Sequence, residues 1–435
     1  MKKLNKKHKI MILVSIIILL ILIAVIIGTN IIRNQITGEE YNVANGSSSN
    51  GNLLPEYIKA GITLGGVTGT LEDLDTSDAT ATAEDILWGK IAYAKGQRLV
   101  GTKVVTVKQG KESQKVFENN TNLIDDYGNN VKVPAGFKIA SDSATSVTGG
   151  VVIEDVSAGD EYTKGSQFVW IPVGNIITEG NKIENLVLGR YDFSGTGTEK
   201  IIQTIDNWQD TSESVEIVSV GLRAKELEGD YKAKNLKDFL EKATNSKGYY
   251  IGRYEAGDAL AVDETHQRTE NSPITDTVVS KKGVYPYNNI IYTEASQLSR
   301  NMYIRDEFES DLVNSYAWDT ATVFIQKFSG DTNYSRQPGK NTTGRLEKCG
   351  ESLLANVTNG DEVIDRRCNI YDMAGNTFEI STETPLDVTY GNIIRGDDYY
   401  GDYGEVGGPA SRTCIVRDAS TTKANNIAFR VILYL

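Results

Sequence analysis

The sequence is poor in the residue types that build most zinc, copper and iron sites. Its 435 residues include only two histidines (His8 and His266) and three cysteines (Cys349, Cys368 and Cys414). A three-histidine metal centre needs more histidines than this chain has, so it is excluded by count.

Basic residues are also too few for a nucleic-acid-binding protein. The formal net charge is −13, and residues 1–33 alone carry six basic and no acidic side chains, so the other 402 residues carry −19. An acidic body of this kind repels phosphate backbones, and we therefore expect no nucleic-acid partner. With 40% hydrophobic and 24% charged residues, the chain is of globular composition and long enough for two or three domains.

One long apolar run lies near the amino terminus. Residues 10–27 are eighteen consecutive positions, all apolar except Ser15, and as a helix they would span about 27 Å, close to the thickness of a bilayer core. Five lysines precede the run, which places that end in the cytoplasm by the positive-inside rule. The pattern predicts a cytoplasmic tail and single transmembrane helix over residues 1–33, a cell-membrane location and an extracellular remainder. The alternative is a cleaved signal peptide, for which Gly28-Thr29-Asn30 is a poor cleavage site.

A linker and a short repeat follow. The linker, residues 34–56, contains the flexible run GSSSNGN. Residues 57–110 hold two related segments, IKAGITLGGVTGT (58–70) and GKIAYAKGQRLVGT (89–102), each typical of a small β-hairpin with a glycine turn. The second segment resembles short repeats of tail-fibre and baseplate proteins from phages of Gram-positive bacteria, and of surface proteins of their hosts. That resemblance implies a spacer of stacked hairpins.

Residues 131–435 have the pattern of an α+β domain with much irregular structure. Strands are predicted at VKVPAGF (131–137), GVVIEDV (150–156), SQFVWIPVG (166–174), YYIGRY (249–254) and 427–435. Helices are predicted at 235–243 and, with Ser310 as the N-cap, at 311–328.

Four segments in one order resemble a known family. They read QFVWIPVG (167–174), GYYIGRYEAG (248–257), NIYDMAGNTFEIS (369–381), and IIRG (393–396) followed by RDAS (417–420) and IAFRVIL (427–433). Together they are similar to the formylglycine-generating-enzyme-like (sulfatase-modifying factor) variant of the C-type lectin fold. The resemblance covers residues from about 165 to 435, and YDMAGN is its most specific part.

The resemblance implies a structural calcium ion at the YDMAGN loop. The family's ligands correspond to the side chains of Asp372 and Glu379 and the carbonyls of Gly375 and Thr377, and all four positions match. Hard oxygen ligands of this kind suit calcium. Without the resemblance, a solvated acidic turn is the simpler interpretation.

The family's redox chemistry is not expected here. Formylglycine-generating enzymes bind copper through two cysteines, and the corresponding positions here are about Gly401 and Val406. A related branch of iron-dependent sulfoxide synthases needs three histidines. Because this chain lacks both ligand sets, we expect neither copper nor iron and no formylglycine-generating activity.

The positions that face the substrate in the resembled family form a candidate ligand-binding surface. Tyrosines offer stiff amphipathic contact area, and neighbouring carboxylates bind sugars, cations or basic peptides. The alternative is that these residues only cover the core, with Arg412 and Arg417 paired to Asp397 or Asp398. We expect Trp318 to pack in the core and Asp319 to lie on the helix surface. The candidate surface comprises Arg395, Asp397, Asp398, Tyr399, Tyr400, Tyr403 and Arg412.

The three cysteines allow three single-bridge pairings, and the sequence does not choose among them. Cys349 and Cys368, which flank the segment before the YDMAGN loop, are one candidate pair. A closed loop of that length would stabilise the fold by about 3 kcal/mol.

Three functional hypotheses remain. The first is a membrane-anchored surface protein, of a Gram-positive bacterium or its prophage, that displays a non-catalytic, calcium-stabilised lectin-fold domain for a glycan or protein ligand. The second is an enzyme that uses acidic residues such as Asp397, Asp398 and Glu255 in a cleft. The third is a structural subunit of a pilus or phage tail.

Overall fold

A computed structural model of the chain describes residues 54–71, 76–86, 90–101, 103–208, 214–226, 235–355, 362–386, 392–401, 407–414 and 423–435. None of the helices in these ranges has both the length and the apolar character needed to cross a membrane. This finding corrects the prediction of a transmembrane helix. It also corrects the single-pass cell-membrane localisation that was deduced from that helix. Residues 10–27, on which that prediction rested, lie outside the described residues.

The predicted α+β class is also wrong, because the fold is mostly β. Strands account for 33% of the structure and helices for 19%. The glycine-rich segments between the predicted strands form further short strands, most of them paired as antiparallel hairpins.

The described residues form four α-helices, in chain order α1 (Val107–Ser113), α2 (Leu236–Asn245), α3 (Tyr292–Asn301) and α4 (Ser315–Phe328). The α4 helix starts later than predicted because the Asn314 side chain accepts a hydrogen bond from the Ala317 N–H and caps it. Ser310, the expected cap, lies in a strand instead. The α3 helix was not predicted, since its mean hydropathy is low and its apolar stripe is short.

The described strands are short, with two to six residues each. In chain order they are β1 (Thr63–Leu64), β2 (Val67–Thr68), β3 (Ile91–Ala94), β4 (Gln97–Val100), β5 (Val105–Thr106), β6 (Thr121–Ile124), β7 (Asn130–Val133), β8 (Phe137–Ile139), β9 (Val152–Asp155), β10 (Gln167–Pro172), β11 (Gly174–Thr178), β12 (Lys182–Leu186), β13 (Gly189–Phe193), β14 (Glu199–Thr204), β15 (Ser214–Ile217), β16 (Leu222–Glu226), β17 (Gly248–Gly252), β18 (Gly257–Asp258), β19 (Val278–Val279), β20 (Glu309–Leu312), β21 (Leu353–Ala355), β22 (Glu362–Ile364), β23 (Arg366–Arg367), β24 (Ile370–Tyr371), β25 (Phe378–Ile380), β26 (Glu383–Pro385), β27 (Ile393–Arg395), β28 (Thr413–Cys414), β29 (Ile427–Phe429) and β30 (Val431–Tyr434).

The chain divides into two compact units. The smaller unit comprises residues 1–80 and 93–97, and the larger one comprises residues 81–92 and 98–435. Within the smaller unit, β1 and β2 form the first predicted hairpin, with Leu64 opposite Val67. The larger unit begins before residue 131, where the lectin-like domain was predicted to start, because Val107 and Leu123 are fully buried in its core.

The core of the larger unit is a six-stranded antiparallel sheet in the order β20-β30-β17-β10-β9-β8. Its central strands β10 and β17 are buried almost throughout, with Trp170 opposite Tyr250 in register. Helix α2 packs Phe239 against the rings of Tyr249 and Tyr434, each 5.4 Å away between centroids. Aromatic contacts of this kind stabilise the sheet beyond the area they bury.

A second sheet has the strand order β28-β27-β25-β29. Its strand β25 follows the YDMAGN loop, and its strand β27 precedes Asp397. Residues 427–435 were predicted as one strand, but the chain passes from the second sheet (β29) to the central sheet (β30) at Arg430. Arg430 therefore lies between the two sheets, where it is fully buried.

Candidate functional site

The YDMAGN loop connects β24 to β25 through a tight turn. Asp372 and Asn376 have positive φ angles of 57° and 69°, a left-handed conformation that Asp and Asn tolerate better than most residues. Gly375 is required for a different reason, since a Cβ there would lie 1.9 Å from the Gly339 carbonyl oxygen. The sequence motif thus encodes a close backbone contact between two distant loops.

Glu255, two residues beyond the YYIGR strand, holds this loop from the side. One carboxylate oxygen accepts from the Thr377 N–H at 3.0 Å, and the other accepts from Asn376 Nδ2 at 2.7 Å. Burial, together with the nearby negative charge of Glu379, raises the pKa of Glu255 to about 8. Glu255 therefore holds the loop in place through these hydrogen bonds. The sequence had suggested it only as a residue of the enzyme hypothesis.

Glu379 on β25 faces Arg430. The Arg430 Nε lies 2.8 Å from one carboxylate oxygen of Glu379 and 3.1 Å from the other, and both side chains are fully buried. Arg430 also donates to the carbonyls of Gly252 and Tyr371. This pair joins the YDMAGN loop, the central sheet and the second sheet at one point.

Three of the four predicted calcium ligands already have protein partners in this arrangement. Glu379 is engaged by Arg430, and the Gly375 carbonyl accepts from the Thr377 N–H at 3.0 Å. Asp372 accepts from the Gly350 N–H through one oxygen, while its other oxygen is buried without a partner. Burial, with the charges of Glu255 and Asp365, raises the pKa of Asp372 well above its ordinary value.

The described residues also contain no group of three or more His, Cys, Asp or Glu side chains arranged to hold a metal ion. The calcium ion implied by the family resemblance is thus neither confirmed nor contradicted by these residues, and chelation can test it.

Two of the predicted ligand-binding residues, Arg395 and Arg412, are buried in an ionic cluster. Each donates to Asp319 at 2.5 Å, and each also donates to Glu383, whose other partner is Arg190. Burial opposes the ionisation of Glu383, but the charges of Arg412, Arg190 and Arg395 outweigh it and lower its pKa to about 2. The two arginines therefore fix the position of helix α4 and do not contact solvent.

This cluster corrects two expectations from the sequence. Arg412 pairs with Asp319 and Glu383, and not with Asp397 or Asp398. Asp319 is fully buried, whereas a surface position was expected. Trp318 packs in the core as predicted, with its Nε1–H donating to the Pro409 carbonyl at 2.7 Å. Arg412 has no acidic residue within five positions on either side, and this was the signal that could have pointed to a distant partner.

The remaining predicted ligand residues form a turn rather than an open face. Asp398 accepts from the Tyr400 and Gly401 N–H groups, each at 3.0 Å, and from Asn426 Nδ2 at 2.6 Å. Asp397 is buried, and that burial raises its pKa to about 6. Tyr399 is buried too, but Tyr400, whose ring centroid lies 4.4 Å from that of Tyr399, is 57% exposed. Tyr403 lies outside the described residues.

An open cleft of about 470 Å³ lies next to this turn. Asn425, which lines the cleft, is followed by Asn426, whose side chain donates to Asp398 in the turn, so the two features are neighbours. The lining is mostly polar and rich in amides, with Leu346 as its larger apolar side chain. It comprises Gln267, Arg268, Thr269, Glu270, Asn288, Asn289, Leu346, Lys423, Ala424 and Asn425.

The walls of the cleft are held by contacts within the protein. Asn288 Nδ2 donates to the Asn425 carbonyl at 2.7 Å, and the Asn289 N–H donates to the Ala424 carbonyl at 3.0 Å. Arg268 stacks on the Tyr287 ring at 3.8 Å and pairs with Asp258 at 3.0 Å. These contacts leave the cleft preformed, which favours binding without a large ordering cost.

The candidate bridge between Cys349 and Cys368, one of the three pairings left open, is not formed. Cys349 and Cys368 are both free. Cys349 is buried in a small cluster with Tyr254, Val284 and Tyr371, whereas Cys368 lies in the turn between β23 and β24. Burial raises the pKa of the Cys349 thiol well above its ordinary value, which makes it unreactive.

Similarity to known proteins establishes neither a family nor a fold for this chain. No protein-family model matches the chain, and no curated protein does. Among solved structures, a Treponema denticola variable protein (variable protein 1) is similar with a TM-score of 0.31 and 9% identity, over 62% of this chain and 96% of that one. A structure titled CarF is similar with a TM-score of 0.26 and 15% identity, over 43% of this chain and 87% of that one. At these scores neither likeness bears on the fold or the function of this chain.

Proposed function

We propose that the larger unit is a non-catalytic binding domain of the formylglycine-generating-enzyme-like C-type lectin type, which takes a hydroxyl-rich ligand, such as a glycan, in the cleft beside Tyr399 and Tyr400. The observation that carries the proposal is the cleft itself, open and mostly polar, with the half-buried Gln267 and the exposed Thr269 and Glu270 in its lining. Amide and carboxylate groups donate to and accept from neighbouring hydroxyls in pairs, as sugars require. Leu346 and the exposed Tyr400 ring supply apolar area for the carbon–hydrogen face of a sugar ring.

The segments that carry the family resemblance lie next to one another in the structure, and this supports the proposed fold. QFVWIPVG provides β10 and GYYIG provides β17, which are neighbours in the central sheet. The closing FRVIL segment provides β30 next to β17 and, through Arg430, the partner of Glu379 in the YDMAGN loop. Segments separated by more than 250 residues therefore contribute to one core.

The enzyme hypothesis receives no comparable support. Asp397, Asp398 and Glu255, the carboxylates that it needs, are all buried, and each accepts hydrogen bonds from neighbouring protein groups. A general acid or base must reach the substrate directly or through one water molecule.

A glycan array probed with the purified full chain, in non-ionic detergent because of the apolar run at 10–27, tests the binding proposal. Hits are expected for the parent, and replacing both Gln267 and Glu270 by Ala should abolish them. Tyr400→Ala should weaken them. Glu264→Ala, an exposed acid of the same loop outside the cleft, is the matched control and should bind like the parent. An array with no hits, or a double variant that binds like the parent, would overturn the proposal.

A further inference from the structure

The charges that line the cleft are not balanced among themselves. Three of its lining side chains are ionisable, namely Arg268, Glu270 and Lys423. Whether the cleft favours a cation or an anion depends on which of these charges the protein already neutralises. Both basic side chains have acidic partners, whereas the acidic one has no ion-pair partner among the described residues.

Arg268 is engaged by the protein through all three of its side-chain nitrogens. Its Nη1 pairs with Asp258 at 3.0 Å, its Nε donates to the Asn288 carbonyl at 3.2 Å, and its Nη2 donates to the Pro273 carbonyl at 3.0 Å. Its Cζ lies 3.8 Å from the centre of the Tyr287 ring, and its side chain is only 4% exposed. Arg268 therefore supports the wall of the cleft, and its charge is used within the protein.

Lys423 has its acidic partner on helix α3. Its Nζ lies 3.8 Å from one carboxylate oxygen of Glu294, and the two side chains are 23% and 25% exposed. The other carboxylate oxygen of Glu294 accepts from the Ile291 N–H at 3.0 Å, which fixes the carboxylate at the start of the helix. The positive charge of Lys423 is thus balanced by a negative charge that the helix holds in place.

Glu270 contributes the remaining charge of the cleft. Its side chain is exposed, and no ion pair joins it to another of the described residues. With the partners Asp258 and Glu294 counted, the cleft has three acidic and two basic side chains, a net charge of −1. The neutral hydrogen-bonding groups of Gln267 and Thr269 lie in the same lining. The cleft therefore favours a cation that also offers hydroxyl groups.

We propose that the ligand of the cleft is an amino sugar, a hydroxyl-rich ring with a free ammonium group, and that the ammonium group lies at Glu270. The proposal rests on the glycan binding proposed above and adds the charge of the ligand. An ammonium group offers three donors and a positive charge to a carboxylate, whereas the acetamide group of an N-acetylated sugar is uncharged. The hydroxyl groups of the ring match Gln267 and Thr269. A basic peptide carries the same charge without these hydroxyl groups, so it is the weaker match.

Isothermal titration calorimetry of the full chain, in non-ionic detergent, compares two sugars with the same backbone. They are a glucosamine tetramer and its fully N-acetylated form. At about 50 mM salt we expect the free-amine tetramer to bind about fivefold more tightly, as one exposed charge pair allows. At about 500 mM salt the preference should fall to within about twofold, because exposed charges are then screened. Tetralysine, which probes charge alone, should bind more weakly than the glucosamine tetramer, and tighter binding of tetralysine would overturn the proposal.

Glu270→Gln keeps the size of the side chain and removes its charge, so this variant should bind the two tetramers within about twofold of each other. Glu264→Gln is the matched control. Glu264 is an exposed acid of the same loop outside the cleft, and its variant should keep the preference of the parent. The control also measures any general attraction of a cationic sugar to an acidic protein.

The outcomes separate this proposal from the glycan-binding function. Equal binding of the two tetramers by the parent, or a preference that Glu270→Gln retains, would overturn the amino-sugar ligand and leave glycan binding in place. If neither tetramer binds, the amino-sugar ligand is overturned, and the glycan array decides whether the proposed function fails with it.

Discussion

Arg430 and Glu379 form the ion pair at which the two sheets of the larger unit meet, with the Arg430 Nε 2.8 Å from a carboxylate oxygen and both side chains fully buried. The pair connects a motif loop to the closing strand across 51 residues of sequence. Glu379 on β25 and Arg430 between β29 and β30 neutralise each other where both are buried.

Removal of one partner from this pair should destabilise the domain strongly. We expect Glu379→Gln to lower the free energy of unfolding by about 3 kcal/mol or more, because it leaves the buried Arg430 charge uncompensated. Glu241→Gln is the control, since Glu241 pairs with Lys237 on the exposed face of α2, and exposed pairs contribute about 0.5 kcal/mol. Denaturant unfolding of both variants measures the difference. Equal effects would contradict the assigned role.

Stability should fall as the pH rises from about 5 to about 8. The folded-state pKa of Glu255 is about 8 against an ordinary value of 4.5. Between those values the folded protein keeps a proton that the unfolded chain has released. Raising the pH therefore favours unfolding, by about 1 kcal/mol per pH unit for one such group. Burial also raises the pKa of Asp372 and of Glu379, which act in the same direction.

Glu255→Gln should flatten this pH dependence. The measurement is the unfolding free energy at several pH values between 5 and 8, with the exposed Glu264→Gln as a control that should keep the slope of the parent. A Glu255→Gln slope equal to that of the parent would show that Glu255 is not the titrating group.

Gly375→Ala should destabilise the protein by about 2–3 kcal/mol, since the added Cβ meets the Gly339 backbone and overpacking of a close contact costs about that much. Gly195 is the matched control, because a Cβ there meets nothing within 4 Å. Thermal melting of Gly375→Ala and Gly195→Ala compares the two positions. A Gly375→Ala protein as stable as the control would mean that the two loops separate easily.

Chelation should leave the thermal midpoint unchanged. In the described arrangement Arg430 already neutralises Glu379, and a second cation beside it would be repelled. Melting curves of the full chain with excess calcium and with excess EDTA measure this. A midpoint several degrees lower in EDTA would contradict this expectation and favour calcium at the YDMAGN loop.

The strand segments and the best helix were predictable because their signals are local. Short runs of β-branched and aromatic residues between glycines predicted β10 and β17. The apolar stripe of residues 311–328 predicted α4. The start of that helix was missed because Asn314 and Ser310 are both good caps, and only strand pairing of residues 309–312 with β30 decided between them. The mostly β class was missed because two- and three-residue strands carry no periodicity to read.

The candidate site was predictable in part. The sequence pointed to the region of Asp397–Tyr400, and the cleft lies beside it, but the roles of its residues were not predictable. Arg395 and Arg412 were expected to face a ligand, and instead they pair with Asp319, in the case of Arg412 across 93 residues of sequence. The cleft residues 267–270 and 288–289 stood in no recognised motif, and only the fold brings them to Asn425.

The sequence by itself determined the exclusions and the local elements. Two histidines exclude a three-histidine centre, Gly401 and Val406 stand where the resembled family has its copper cysteines, and glycine turns and apolar periodicity mark hairpins and helix faces. Only the tertiary structure decided which charges are buried and with which partners. The physical reason is that a hydrophobic pattern specifies which side of an element is buried, whereas a buried charge is stabilised by a counter-ion that can come from any part of the chain. Arg430 shows this, because its apolar neighbours in IAFRVILYL indicate a buried position but do not name Glu379 as its partner.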